Sequence, residues 1–249
     1  MNRRTLITTG LAATAGLAGL VTADRIARRY GLVPPDAQGP FALGETLTYA
    51  SQRLLTRHSM AREFSRAQIS PRPFPNELAP PSDAFKSHQS NGFADWQLAV
   101  TGLVDRPAAF SIAQLKSYPP HSQITQLACE EGWSYIAEWT GAPLSRILEA
   151  AGIQPHARYV VYRSIEPDWW DSLDMADALH PQTLLTHGLN GTDLPVPNGG
   201  PLRLRVPRQL GYKSVKFIQS LVVTDSLKGF GKGLGSSSPE AGYAWYAGI

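Results

Sequence analysis

The chain of 249 residues holds a single cysteine, Cys129, which follows Gln126-Leu127-Ala128 and precedes Glu130-Glu131-Gly132-Trp133. A thiolate is a nucleophile and also a soft ligand that suits soft or redox-active metals. A lone cysteine is equally a small buried hydrophobe, and the residues themselves leave both uses open. Glu130-Glu131-Gly132 does not continue a core strand, so the thiol is expected where an apolar stretch gives way to a loop. Zinc held by protein alone needs three or four ligands. The six histidines, His58, His88, His121, His156, His180 and His187, show neither His-x-His nor His-Glu-x-x-His spacing. A metal that brings most of its ligands on an organic cofactor needs only one cysteine.

A second chemical feature is the run Asn198-Gly199-Gly200-Pro201-Leu202-Arg203 through Gly211-Tyr212-Lys213-Ser214-Val215-Lys216. Between Arg203 and Lys216 stand five basic residues and no acid. Guanidinium forks and ammonium groups bind phosphate, and glycines let backbone amides approach it. The run reads as a local anion site, with a solvated strand face as the alternative. Net charge is +3, but residues 1–72 carry ten arginines against four acids, whereas residues 73–249 carry 13 basic and 16 acidic residues. The basic character therefore belongs to the N-terminal segment. A nucleic-acid partner needs a basic face on the folded body, and none is expected.

These residues must be positioned by a body with many turns, since 22 glycines and 20 prolines accompany 43% hydrophobic residues. Asn2-Arg3-Arg4-Thr5 leads into a mildly apolar run from Leu6 to Val21, and Val21-Thr22-Ala23 offers a small-residue cleavage site. Residues 1–23 thus resemble a twin-arginine export signal. An uncleaved anchor and an ordinary secretory signal are the alternatives. A lone cysteine in an exported chain makes no internal disulfide. Residues 24–83 read as an arm ending in a proline-rich linker or extended wrap, with five prolines between 70 and 83. A strand is expected around Leu98 and Val100, and a capping-box helix at Ser111–Gln114. Another helix is opened by Pro143 and stopped by Gly152, with Leu144, Ile147, Leu148 and Ala151 on one face. Further strands are expected over 158–163, over 202–206 with one apolar and one cationic face, and over 213–224. The tail 228–249 reads as a Gly-rich surface loop. Without a βαβ rhythm, and with proline flanking several strands, the class is α+β with mixed sheets, a barrel-like core and short helices.

Taken in combination, Cys129…Trp133…Trp139-x-Gly-x-Pro-Leu144, His180-Pro181-Gln182-Thr183-Leu184, Asn198-Gly-x-Pro-x-Arg203 and Gly211-Tyr-Lys-Ser-Val-Lys216 resemble the molybdopterin domain of the sulfite oxidase family. The likeness covers roughly residues 90–225, within an oxidoreductase domain placed at 84–227. It implies a molybdenum-molybdopterin cofactor with Cys129 as metal ligand and catalytic centre. By the same resemblance Ser164, Asn198, Arg203, Ser214, Val215 and Lys216 are pterin or phosphate contacts, and Asn76 is an upstream contact.

The chain stops about where that family's dimerisation domain begins and shows no heme domain, which implies a monomer similar to the short bacterial members. Those include a periplasmic reductase of methionine sulfoxide in proteins. The implied chemistry is two-electron oxygen-atom transfer on a small oxide such as a sulfoxide, or sulfite-type oxidation. A membrane quinone protein or a cytochrome is the implied electron partner. The expected location is the periplasm, with membrane association left open. Glu166-Pro167-Asp168-Trp169-Trp170-Asp171 is acidic and aromatic. If it lines the mouth, anionic sulfite is disfavoured against a neutral sulfoxide; the other possibility is that both tryptophans are core or lid residues. Two further alternatives are an exported cysteine-nucleophile enzyme of transpeptidase type and a non-catalytic cofactor- or anion-binding module.

Overall fold

The computed structural model describes residues 22–23, 25–75 and 79–249. Most of the expected signal segment, and Asn76, lie outside the described residues. The chain divides into two compact units between Thr56 and Arg57. In the first, residues 25–29 are helical, and a 3-10 turn at Gly39–Phe41 leads into helix α1, Ala42–Leu55.

The second unit is built on two sheets. One has the order β2-β1-β10-β5-β6, made of Ala108–Ser111, Gln97–Gly102, Ile218–Thr224, Tyr159–Ser164 and Trp170–Asp174. Its β1–β10 pair is parallel and its other pairs are antiparallel. The other sheet joins β3, His121–Ala128, to β4, Ser134–Pro143, and then to β7, Leu184–Leu189. Strand β7 pairs in turn with β8, Thr192–Asp193, and with β9, Arg203–Arg205.

A shared core lies among Leu98 and Val100 of β1, Val160 of β5, Leu221 of β10, Leu185 of β7 and Leu204 of β9, all fully buried. Fully burying a side chain of this kind contributes about 1.5–3 kcal/mol. The helix Leu144–Ala151 packs Leu144, Ile147, Leu148 and Ala151 into the same core and ends on Gly152 at φ 72°. The apolar spacing and the glycine stop expected there both hold. So does the capping box, in which Ser111 and Gln114 open a helix over Ile112–Ser117.

Residues 63–70 lie along the β3–β4 hairpin. The Phe64 N–H donates to Ile124 O at 2.9 Å, and the Ser70 N–H to Ile136 O at 2.9 Å. Arg66 closes a bidentate pair on the nearly buried Glu138 at 2.6 and 3.0 Å.

Three local expectations change. Within 213–224 only Ile218–Thr224 is a strand, because Gly211–Lys213 forms a 3-10 turn. Lys213 is drawn inward to an ion pair with Asp171 in which both side chains are 1% exposed. Its Nζ also donates to Ser172 O at 2.8 Å. The tail expected as a surface loop buries Trp245, whose Nε1–H donates to Ser172 Oγ at 2.8 Å. Strand β9 has no solvated face, since all three of its residues are buried.

Removing one member of a buried ion pair leaves an uncompensated charge and costs about 3–5 kcal/mol. Lys213→Met alone is expected to lower unfolding free energy by that amount in urea titration. Lys213→Met combined with Asp171→Leu is expected to recover most of the loss. Equal stability of the single variant and the wild type would refute the role given to the pair.

Candidate functional site

Cys129 opens the five-residue turn between β3 and β4. Its N–H donates to Trp133 O at 2.9 Å, and the Gly132 N–H donates back to Cys129 O at 3.1 Å. Gly132 sits at φ 90°, in the left-handed region that favours glycine. The expectation that the thiol stands where an apolar strand becomes a loop therefore holds.

The Cys129 S–H donates to Glu130 Oε2 at 3.2 Å, with Glu131 Oε2 at 3.8 Å. Glu131 is itself fixed by a 2.8 Å bond from Trp133 Nε1. Burial, opposed in part by the Glu131 backbone N–H and reinforced by the two carboxylates, pushes the thiol up to about 12. A cysteine nucleophile needs the opposite shift. A metal cation bound by Cys129 would remove the conflict, since a coordinating thiol is deprotonated and its charge is neutralised between the two acids.

A cleft of about 430 Å³ lies beside this turn, lined by Ser164, Arg203, Ser214, Val215 and Lys216 together with Glu166, Trp169, Gly211 and Tyr212. Five of the residues singled out in the sequence are thus brought to one wall. Asn198 stands immediately behind it. Arg203 donates from Nη1 to Asn198 O at 3.0 Å and from Nε to Ser214 O at 2.9 Å. Lys216 Nζ donates to Pro197 O at 2.8 Å. Gly199, at φ 107°, makes this approach possible, because a Cβ there would meet Lys216 Cγ at 2.9 Å and Arg203 Cδ at 3.1 Å. The buried Nδ2 of Asn198 has no hydrogen-bond partner among the described residues. A buried amide without a partner costs about 1–3 kcal/mol, so this atom is poised for a group the chain does not itself supply.

The five cations of the run divide by use. Arg208 pairs with Asp177 at 3.0 Å, and Lys213 with Asp171, so both are internal ties. Arg203 and Lys216 face the cleft. Arg205 is fully buried and bonds Thr125 Oγ1 at 3.2 Å and Gln126 O, while its Nε lacks a partner among the described residues. Arg203 and Arg205 lie 5.5 and 5.2 Å from the ring centroid of Trp139, which takes both cations on its π system. Burial, and then the charge of Arg203, bring Arg205 down to about 9.

The cleft and the thiol turn meet at Gly211. A Cβ on it would lie 3.3 Å from Ala128 O and 3.5 Å from Cys129 Cα. Sequence reasoning named neither Gly211 nor Arg205 as a site residue. The strand spacing that puts Arg203 and Arg205 on one face was the available signal for the second. The acidic–aromatic segment splits: Glu166 and Trp169 line the cleft, whereas Trp170 and Asp171 are buried.

Residues 86–229 match the model of the oxidoreductase molybdopterin-binding domain. The chain is 40% identical over 155 residues to a putative protein-methionine-sulfoxide reductase subunit YedZ1 of Azospira oryzae, covering 62% of this chain and 56% of that protein. It is 36% identical over 152 residues to the protein-methionine-sulfoxide reductase catalytic subunit MsrP of Xanthomonas campestris, covering 55% and 47%. The chain thus spans about half the length of these two relatives. With MsrP of Xanthomonas axonopodis it shares 32% over 232 residues, covering 87% and 67%. Among solved structures, the sulfane dehydrogenase SoxCD of Paracoccus pantotrophus superposes with a TM-score of 0.51 at 24% identity, covering 53% of this chain and 39% of that one. That likeness is one of fold, and it bears out the fold class expected from the sequence.

The raised thiol gives a direct test on cofactor-free protein. Its shift from 9.0 to about 12 leaves roughly a thousandfold less thiolate at pH 8 than an unperturbed thiol would have. Iodoacetamide labelling of Cys129 is expected to be slower by about that factor and to keep rising past pH 10. Glu130→Gln is expected to speed it. Rapid labelling at neutral pH would contradict the geometry described.

Proposed function

We propose, for a chain that belongs to the oxidoreductase molybdopterin-binding domain family, that it is the catalytic part of an exported reductase of sulfoxides, with methionine sulfoxide in proteins as the leading substrate. The family's cofactor is molybdenum-molybdopterin. The observation that carries the reading is the junction at Gly211 of a buried thiol turn with a cleft lined by Arg203 and Lys216 and backed by the unpartnered amide of Asn198.

In this reading Cys129 is the metal ligand, and Arg203, Lys216 and Ser214 face the anionic end of the pterin. Asn198, Ser164 and Val215 complete the contacts. Asn76 belongs to the same proposal from its sequence match alone. When bound, the cofactor supplies two-electron oxygen-atom transfer. Overall a sulfoxide, two electrons and two protons yield a thioether and water, with the electrons drawn from a membrane quinone protein or a small cytochrome.

The chain's own residues prepare this chemistry. Glu130 Oε2 already accepts the thiol hydrogen and is placed to take that proton as the thiolate forms. Trp133 holds Glu131 in place through its indole N–H. Glu130 and Glu131 set negative charge directly beside the thiol. That field disfavours an anion and leaves a neutral sulfoxide free to enter. The names of the relatives from Azospira and Xanthomonas support the same substrate. The Arg3-Arg4 leader supports twin-arginine export to the periplasm, a route that carries its cargo already folded. Among the described residues no helix is long and apolar enough to cross a membrane. A monomer fits this reading. The cysteine-nucleophile alternative finds no support in a thiol pushed up to about 12.

The test is a reductant-driven screen of sulfoxides, N-oxides and methionine-oxidised protein, run beside sulfite oxidation with an artificial acceptor. Protein made in a molybdopterin-competent host is expected to contain molybdenum and to reduce sulfoxides. Loss of outer partners of a metal site typically costs 10–100-fold. Cys129→Ser, which removes the ligand itself, is expected to cost more than about 100-fold in turnover and to change the metal's spectrum. Arg203→Ala removes a charge-assisted contact, of the kind worth about 1.5–3 kcal/mol. It is expected to loosen the cofactor by about 10–100-fold, read as molybdenum lost on gel filtration. Metal-free active protein, or an unchanged spectrum in Cys129→Ser, would overturn the proposal.

A further inference from the structure

Helix α1 in the first unit is amphipathic in the reverse sense. All four of its leucines are exposed, Leu43 at 71%, Leu47 at 62%, Leu54 at 69% and Leu55 at 81%. The remaining residues of the same outer face are Gly44, Thr48 and Ser51, so that face carries no charge at all. Its buried residues are Tyr49 and Arg53. A surface helix of a globular protein normally turns its leucines inward and its charges outward. Phe41, just before the helix, is 75% exposed, and Ile26 and Tyr30 are exposed on the segment upstream.

The charges of this unit are sorted just as sharply. Among its described residues, the exposed charged side chains are Arg25, Arg28 and Arg29. The acids Asp36 and Glu45 are half-buried, each with one carboxyl oxygen sealed from solvent. The described residues of the unit therefore offer their surroundings leucine, two aromatic rings and arginine, with Asp36 and Glu45 half-buried. Leucines insert between acyl chains, tyrosine and phenylalanine settle at the headgroup boundary, and arginines bind anionic headgroups. Inserting leucines beside headgroup-binding arginines is the pattern by which an interfacial helix holds an anionic leaflet.

We propose that this unit is a membrane-surface anchor that lays the leucine face of α1 into an anionic phospholipid leaflet, with Arg25, Arg28 and Arg29 on the headgroups. The inference stands on the arm alone and is independent of the reaction assigned to the second unit. It also provides a way to hold the chain close to a membrane-embedded electron donor without a transmembrane span.

The experiment is co-sedimentation of the full chain with vesicles of phosphatidylcholine alone and with one quarter phosphatidylglycerol, in 50 mM and 500 mM salt. Binding is expected on the anionic vesicles at low salt and is expected to weaken at high salt. The variant Leu43→Gln/Leu47→Gln/Leu54→Gln is expected to lose binding by at least about 10-fold, because it removes three of the inserting side chains. Arg25→Gln/Arg28→Gln/Arg29→Gln is expected to lose about 10–100-fold on anionic vesicles only. These variants alter exposed positions, and unchanged circular dichroism and cofactor content check that the fold is kept. Wild type that ignores the vesicles overturns the proposal. So does undiminished binding of the leucine variant, which would place the affinity in the leader, and so does self-association that is abolished by the leucine variant without lipid.

Discussion

The cleft depends on a buried ammonium. Lys213 has its Nζ on Asp171 and on the Ser172 carbonyl, and its own carbonyl accepts from Tyr162 Oη at 2.9 Å. One residue thus ties the 211–216 segment to β6 through its side chain and to β5 through its backbone. Two charges taken from water cost more than most hydrophobic contacts return, and the cost is met only where geometry is good and the remaining hydrogen bonds are made. Here the third direction of the ammonium faces the Trp245 ring at 5.1 Å. The pair fixes where the chain turns, so that Ser214, Val215 and Lys216 emerge into the cleft while Gly211 presses on the thiol turn. A hydrophobic pair could fill the space, but it would not specify the direction in which the next three residues leave.

The same division of labour runs through the other cations. Arg203 works in two directions, holding the Asn198 and Ser214 carbonyls with its donors and turning its π face to Trp139. It therefore sets the width between two chain segments and also lines the space between them. The hairpin β3–β4 carries the thiol turn against Gly211, and its eight paired residues from His121↔Gly141 to Ala128↔Ser134 give that turn a stiff base. Residues 63–70 engage this hairpin through Phe64 N–H on Ile124 O and Ser70 N–H on Ile136 O, groups that the hairpin's own pairing leaves free.

What could be read in advance follows from the range of each interaction. The helix over 144–151 is determined by neighbours three and four positions apart and by Gly152, and these are visible in a string of letters. Cys129 at a strand end was visible for the same reason. The choice between structural and site cations was not. Arg203, Arg205, Arg208, Lys213 and Lys216 are chemically alike in sequence, and their roles are set by Asp171, Asp177, Thr125 and Asn198, which stand between 5 and 80 residues away. Trp169 and Trp170 show the same limit in miniature. Adjacent side chains on an extended segment point to opposite sides, so one faces the cleft and the other the core, and composition cannot say which. The burial of Trp245 in a Gly/Ser-rich tail depends likewise on a partner, Ser172, 73 residues earlier.

Arg205 carries a consequence of a different kind. It is sealed from solvent, it takes part in none of the ion pairs among the described residues, and the charge of Arg203 acts against it. The folded chain therefore stores a like-charge repulsion at the back of its cleft, held in check by Trp139 and by carbonyls. An anion entering in front of Arg203 relieves part of that repulsion, so occupancy and conformational stability are coupled by mass action. A ligand at a thousandfold excess over its Kd adds about 4 kcal/mol to the unfolding free energy. Empty and filled molecules then differ in their melting temperature as much as in their chemistry, and a thermal scan counts the filled fraction of a preparation without any turnover at all.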